Sequence, residues 1–486
     1  MTNLKGLKAI RWFFLIILAV ALILFLIQPQ VKVDNLNQLL EIQQKNYVIP
    51  AIAGIIIKNG ECMQQSVLGM VDNQTPFTLD TPIYIGSLTK SFTALAIVKL
   101  SREYSFSLDT PVAELLPEFK LASKEYHTIT VRHLLAHASG LSDRTFREKL
   151  LPDASLLDGV LALQVAKLLE PPETKLNYFN MGYTVLGLII ERISGLPYQE
   201  YLQKEILTPL KLKNTYVEAP GGETIATGYL SFFGLPLKTS KPRSNYALPA
   251  GYLLSTANDL FIYVNYYLNP LSLPKQCGIT AEDLEVMQKP AFPNWPYGFG
   301  WITEQINGKS VVYHGGSLPG YQSQLVLWPD EKTAFVLLTN SGNILQSLWG
   351  RRDIIKGAEE LAFNSQTTIK PRERFIYLIF WSLLGLIIVH LANSFALLEK
   401  YKEKITKPKL RQEQIKQVAL IIICLLIIFK GPQAVGLLEN RGLYWSLAYT
   451  VEPGITVTIL LLSVGKLLLS LSKLFITIRN KISVKV

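Results

Sequence analysis

The chain has 486 residues, of which 49% are hydrophobic, and carries a formal net charge of +11. Residues 1–28 hold three Lys/Arg and no acid, and residues 372–486 hold sixteen Lys/Arg against six Asp/Glu, so residues 29–371 carry a net charge of −2. The basic balance therefore does not point to nucleic acid, because the charge excess lies at the two ends and none is left on the large central region. Three cysteines exclude a disulfide framework: Cys424 falls in a hydrophobic segment, and Cys62 and Cys277 can pair only if the fold brings them together.

In chain order, residues 12–27 form an unbroken apolar run preceded by Lys5, Lys8 and Arg11. No small-x-small site follows, so the segment reads as an uncleaved membrane anchor over residues 1–29. Residues 35–45 have the pattern of an amphipathic helix. Two β-type runs, A-I-A-G-I-I-I-K and C-M-Q-Q-S-V-L-G, flank Asn59-Gly60, a two-residue hairpin signal. Next comes I-Y-I-G-S-L-T-K-S-F-T-A-L-A-I, residues 83–97, where Ser87 and Lys90 stand three apart at the start of an apolar helix. A serine there is also an ordinary N-cap. The S-x-x-K string recurs at Ser272/Lys275, Ser463/Lys466 and Ser470/Lys473, so alone it decides nothing.

The region to about residue 269 reads as mostly helical, and the chain then returns to strands: G-F-G-W-I-T, K-S-V-V-Y-H, Y-Q-S-Q-L-V-L-W-P and T-A-F-V-L-L-T-N. A helix from about 344 to 362 follows. Strands at both ends of a helical middle predict an α+β domain over residues 30–370, with one antiparallel sheet flanked by helices and an inserted helical region. Residues 371–486 hold three further hydrophobic segments, near 375–396, 415–437 and 453–475. The second has a clean run only over 418–429, closed by Lys430-Gly431-Pro432, which leaves a re-entrant segment open. The third carries Lys466 well inside, for which snorkelling to the nearer surface is the plainer reading. Placing the basic ends and the basic loop 399–417 in the cytoplasm gives four spans with the central domain outside.

Two more stretches carry chemistry. Residues 171–184 contain Tyr178-Phe179-Asn180, and a strand-like run ends in His314-Gly315-Gly316. In this order, S-L-T-K, Y-F-N and H-G-G resemble the serine β-lactamase and penicillin-binding-protein-like hydrolases, closest to class C β-lactamases, D-alanyl-D-alanine carboxypeptidases and related esterases. The resemblance extends to I-T-V-R-H-L-L-A-H-A-S-G-L, L-T-P-L-K-L-K-N-T, P-A-G-Y-L-L-S-T-A-N-D-L and Y-G-F-G-W, and covers roughly residues 36–365. Tyr-x-Asn alone is unspecific, since Tyr263/Asn265 and Tyr267/Asn269 repeat it. The ordered set is what discriminates.

The resemblance implies a β-lactamase/transpeptidase-like fold and an acyl-enzyme mechanism without metal or cofactor. Ser87 would be the nucleophile, with Lys90 and Tyr178 as proton carriers and the choice of acylation base left open. Asn180 would orient Lys90 and the substrate. His314, in place of the common lysine, would donate to a carboxylate or hold Tyr178, Gly315 and Gly316 would admit substrate to the strand edge, and the N–H groups of Ser87 and Ser317 would form the oxyanion hole. Lys238-Thr239-Ser240 and Glu173-x-x-x-Asn177 are decoys of related motifs, and His133 and His137, four apart, read as structural rather than as a zinc site. The expected partners are a small-molecule or cell-wall peptide or ester substrate, the bilayer, and a possible membrane protein contacted through 371–486. The rival expectation is a penicillin-binding sensor that signals through its membrane helices.

Overall fold

A computed structural model describes every residue except 1, 73, 144–149, 219–223, 307, 343–345, 347–349, 372–374, 399–400, 402–409, 439–452 and 483–486. It divides into two compact units: one of residues 31–230 and 236–369, the other of residues 1–30, 231–235 and 370–486.

The first unit is built on a six-stranded antiparallel sheet. From edge to edge the strands are Glu61–Gly69, Ala51–Lys58, Thr333–Thr339, Tyr321–Trp328, Lys309–Leu318 and Ile302–Ile306. The first two are joined at Asn59 (φ 53°) and Gly60 (φ 84°), and two consecutive positive φ values are what a type I′ hairpin turn requires. As expected, a helix, Leu36–Tyr47, precedes this hairpin. The third and fourth strands are buried at every position, so they form the middle of the sheet.

The helix Thr89–Glu103 is buried from Thr89 through Leu100. A helix covered on all sides belongs at the centre of a domain. Phe92 stacks on Tyr263 with ring centroids 4.1 Å apart, tying it to the helix Ala257–Leu268. The helix Asn180–Ser194, buried from Met181 to Ile190, joins the same core and stops at Gly195 in the left-handed region.

The region read as mostly helical also holds a hairpin, Tyr229–Phe232 and Leu235–Lys238, whose first strand pairs in parallel with Ser341–Gly342. Its turn, Phe233-Gly234, has positive φ at both residues (48° and 82°) and lacks the Asn-Gly signature. Of the helix expected over 344–362, Arg351–Asn364 is observed, and most of its predicted beginning lies outside the described residues. Cys62 and Cys277 are both free thiols.

The second unit contains the helices Thr2–Ile27, Phe375–Ala396, Leu410–Leu438 and Pro453–Ile482. Each includes a stretch long and apolar enough to cross a membrane. Leu410–Leu438 runs on through Lys430-Gly431-Pro432, so it is one continuous helix rather than a closed short run. It also takes up the last part of the expected loop 399–417, of which 399–400 and 402–409 lie outside the described residues. Lys466 lies 2.7 Å from Nε2 of His390, to which its ammonium donates. Phe233 stacks on Phe380 at 5.3 Å, and the Trp381 indole donates to the Phe233 carbonyl at 3.0 Å.

Candidate active site

Ser87 lies in a short 3-10 turn, Gly86–Leu88, that leads into the helix Thr89–Glu103. Its hydroxyl makes no capping bond; its Oγ lies 3.1 Å from Lys90 Nζ, one turn along. Lys90 is fully buried, whereas Ser87 is half-buried, so the amine lies deeper in the protein than the hydroxyl.

Lys90 Nζ also donates to Oδ1 of Asn180 at 2.8 Å and to the carbonyl of Ala250 at 2.5 Å. Burial lowers the Lys90 pKa from 10.5 to about 7, against a pull upward from Asp143. A neutral amine has two N–H groups and one lone pair. With the two N–H groups held by acceptors that cannot donate, the lone pair is left for the Ser87 hydroxyl.

Tyr178 flanks this group: Lys90 Nζ lies 4.9 Å from the centre of its ring, and its hydroxyl is buried. Asn180 opens the helix that follows, so Y-F-N brings both a ring and an amide to one lysine.

His314 lies within the strand Lys309–Leu318, which continues through Gly315 and Gly316 rather than ending there. Both ring nitrogens are engaged. Nδ1 lies 2.8 Å from the Gly315 carbonyl, which can only accept, so Nδ1 carries the proton; Nε2 then accepts from the Tyr297 hydroxyl at 2.8 Å. Burial, reinforced by Lys90, pushes the His314 pKa down to about 3. The histidine is thus a neutral acceptor toward Tyr297. Tyr297 in turn is held well above the usual tyrosine range by burial.

The edge strand Ile302–Ile306 pairs with this strand only as far as Tyr313. Beyond it, from His314 on, no strand pairs on that side among the described residues. Two glycines let this edge approach the turn that carries Ser87. A Cβ on Gly316 would fall 1.8 Å from the Ile85 carbonyl, and one on Gly86, whose φ is +54°, would fall 2.4 Å from the Ser317 nitrogen. These clearances bring the turn carrying Ser87 against the Ser317 amide.

Three neighbours were not assigned to the site from the sequence. Tyr297 lies within Y-G-F-G-W, but no spacing rule links it to His314. His137 packs its ring 4.1 Å from that of Tyr178. Arg351, at the start of the helix Arg351–Asn364, occupies the space beside Gly315: a Cβ there would lie 2.7 Å from Nη1 of Arg351. Among the described residues no acid forms an ion pair with Arg351. Only tertiary structure brings it to this strand, so no local pattern could have marked it.

The beta-lactamase family model matches residues 36–356. Protein flp of Staphylococcus aureus (strain MW2) is 31% identical over 301 residues, which are 60% of this chain and 60% of that protein; the match thus spans under two thirds of the relative's length. The octameric penicillin-binding protein homologue from Pyrococcus abyssi superposes with a TM-score of 0.58 at 28% identity, covering 72% of this chain and 80% of that one. A class C beta-lactamase shares the fold, with a TM-score of 0.58 at 20% identity over 66% of this chain and 94% of its own. The chain therefore belongs to the beta-lactamase family of serine hydrolases, in the group that includes the penicillin-binding proteins.

Proposed function

We propose that this protein is a membrane-anchored hydrolase that forms an acyl-enzyme on Ser87, acting outside the membrane on D-alanyl amides or esters, or on β-lactams, that carry a carboxylate. The observation that carries this reading is the hydrogen-bond set of Lys90: two acceptors fix its N–H groups while its nitrogen faces the Ser87 hydroxyl at 3.1 Å.

Neutral Lys90 takes the Ser87 proton as Oγ attacks the carbonyl carbon. The oxyanion is received by the N–H groups of Ser87 and Ser317. Collapse breaks the bond to the leaving group, which takes a proton from the Tyr178 hydroxyl, and the Lys90 proton replaces it. Water then attacks the ester by the reverse relay, giving up its proton through Tyr178 or Lys90, and Ser87 is released.

Substrate would lie along the open edge at Gly315 and Gly316, with its carboxylate toward Arg351. This arrangement is supported by the free strand edge and by the absence of an acidic partner for Arg351 among the described residues. Charge in this part of the site rests on Arg351 because His314 is neutral.

The test is a substrate panel for the detergent-solubilised full chain: an acyl-D-alanyl-D-alanine peptide, the same peptide with its terminus amidated, a depsipeptide analogue and nitrocefin. Turnover of a carboxylate-bearing member, lost in Ser87→Ala and weakened by amidation, is the expected result. Turnover that survives Ser87→Ala, or is indifferent to the carboxylate, overturns it.

A further inference from the structure

His137 stands outside the Ser87–Lys90–Asn180 hydrogen-bond set, and by sequence it reads as structural. Its contacts converge on one residue. The His137 carbonyl accepts from the N–H of Asn177 at 3.0 Å. Its ring Nδ1 accepts from the N–H of Phe179 at 3.2 Å. The same ring packs against Tyr178 with centroids 4.1 Å apart and a 36° tilt. One residue therefore holds the backbone on both sides of Tyr178 and one face of its ring.

The local chain is shaped for this. His137 follows the short helix Val131–Leu135 and has φ +56°, a left-handed conformation uncommon for a residue with a side chain. That turn sends its carbonyl and its ring toward the same loop. The ring is 1% exposed and also packs edge-on against Tyr297 at 4.8 Å, the tyrosine that bonds His314.

Nδ1 acts as acceptor, so a neutral ring carries its proton on Nε2. That Nε2 is buried without a hydrogen-bond partner among the described residues. An unsatisfied buried donor is normally selected against. Here the ring's position is set by the Phe179 N–H and the Tyr178 face rather than by satisfying Nε2.

We propose that His137 is a positioning residue that fixes the Tyr178 hydroxyl for proton transfer during acyl transfer. The inference rests on the proposed role of Tyr178 in the reaction. Groups that act as a unit are non-additive when removed together, and a reacting group misplaced by about 1 Å can cost roughly a hundredfold in rate.

The experiment is a double-mutant cycle on the full chain with Tyr178→Phe, His137→Asn and the pair, reading kcat, KM and the rate of Ser87 acylation by nitrocefin. Asn tolerates the left-handed region and keeps a short acceptor for Phe179 but supplies no ring. His137→Gln serves as the second variant, and thermal midpoints identify any protein that has lost its fold.

The expected result is a kcat fall of roughly ten- to hundredfold in His137→Asn with KM within about twofold, and no further fall when it is added to Tyr178→Phe. A wild-type rate in both His137 variants, or losses that multiply in the pair, overturns the positioning role. A wild-type rate in Tyr178→Phe overturns the role of Tyr178 itself, and is thereby told apart from failure of the clamp.

Discussion

The pH dependence of acylation follows from the burial of Lys90. With a pKa of about 7, about 75% of the lysine is free base at pH 7.5, against roughly 0.1% at its ordinary value of 10.5. The difference in available base is roughly 700-fold, or about 3.9 kcal/mol of barrier at constant nucleophilicity. The sign is fixed by chemistry: the base form reacts, so protonation at lower pH removes it. The acylation rate should rise about tenfold per pH unit below pH 6 and flatten above about 7.5. Stopped-flow mixing with nitrocefin or an activated ester between pH 5 and 10 reads this directly. Lys90→Met should lower the rate by about a thousandfold or more and abolish the inflection. An inflection above pH 9, or one near 7 that persists in Lys90→Met, would refute the assignment of Lys90 as base.

Three further predictions follow from the same site. Arg351→Gln should raise KM for carboxylate-bearing substrates by roughly ten- to a hundredfold, the range of a lost charge-assisted hydrogen bond, and leave an amidated substrate unchanged in steady-state assays. Gly86→Ala should abolish measurable turnover, because a methyl there meets the Ser317 nitrogen at 2.4 Å; wild-type kinetics would show that the turn and the strand edge are not packed as described. Above pH 6.5 His314 is neutral in both folded and unfolded chains, but below it the unfolded chain takes up a proton that the native one refuses until about pH 3. Stability therefore falls with acid by up to about 1.4 kcal/mol per pH unit. The thermal midpoint of His314→Gln should fall less than that of wild type between pH 7 and 4.5, and parallel curves would contradict the burial of a neutral imidazole.

What was legible in the sequence was what short-range pattern encodes. Asn59-Gly60 marked the first hairpin, the alternating and continuous apolar runs marked the sheet strands, and the three motifs marked Ser87, Lys90, Tyr178, Asn180 and His314, which the fold gathers from distant parts of the chain. The hairpin Tyr229–Phe232/Leu235–Lys238 was missed because its turn is Phe233-Gly234, and Phe233 gives no turn signal even though it adopts a positive φ. Arg351 and Tyr297 were missed for a different reason. Each is defined by what it meets across the fold, Gly315 in one case and His314 in the other, and neither meeting leaves a spacing in the chain. His137 was seen and set aside as structural, since its contacts to residues 177, 178 and 179 depend on a left-handed turn that the letters H-A-S-G do not announce. The orientation of His314 was likewise open until its two ring nitrogens were accounted for.

The central claim is that Ser87 becomes acylated with Lys90 as its base, and the most direct test is intact-mass spectrometry of the full chain after exposure to benzylpenicillin at pH 7.5, followed by peptide mapping. The account predicts a mass increase equal to one penicilloyl group, or loss of the antibiotic from solution where deacylation is fast. It places the adduct on the peptide containing Ser87, and predicts neither adduct nor loss of antibiotic with Ser87→Ala. An adduct on another residue, or one that forms equally in Ser87→Ala, would contradict it.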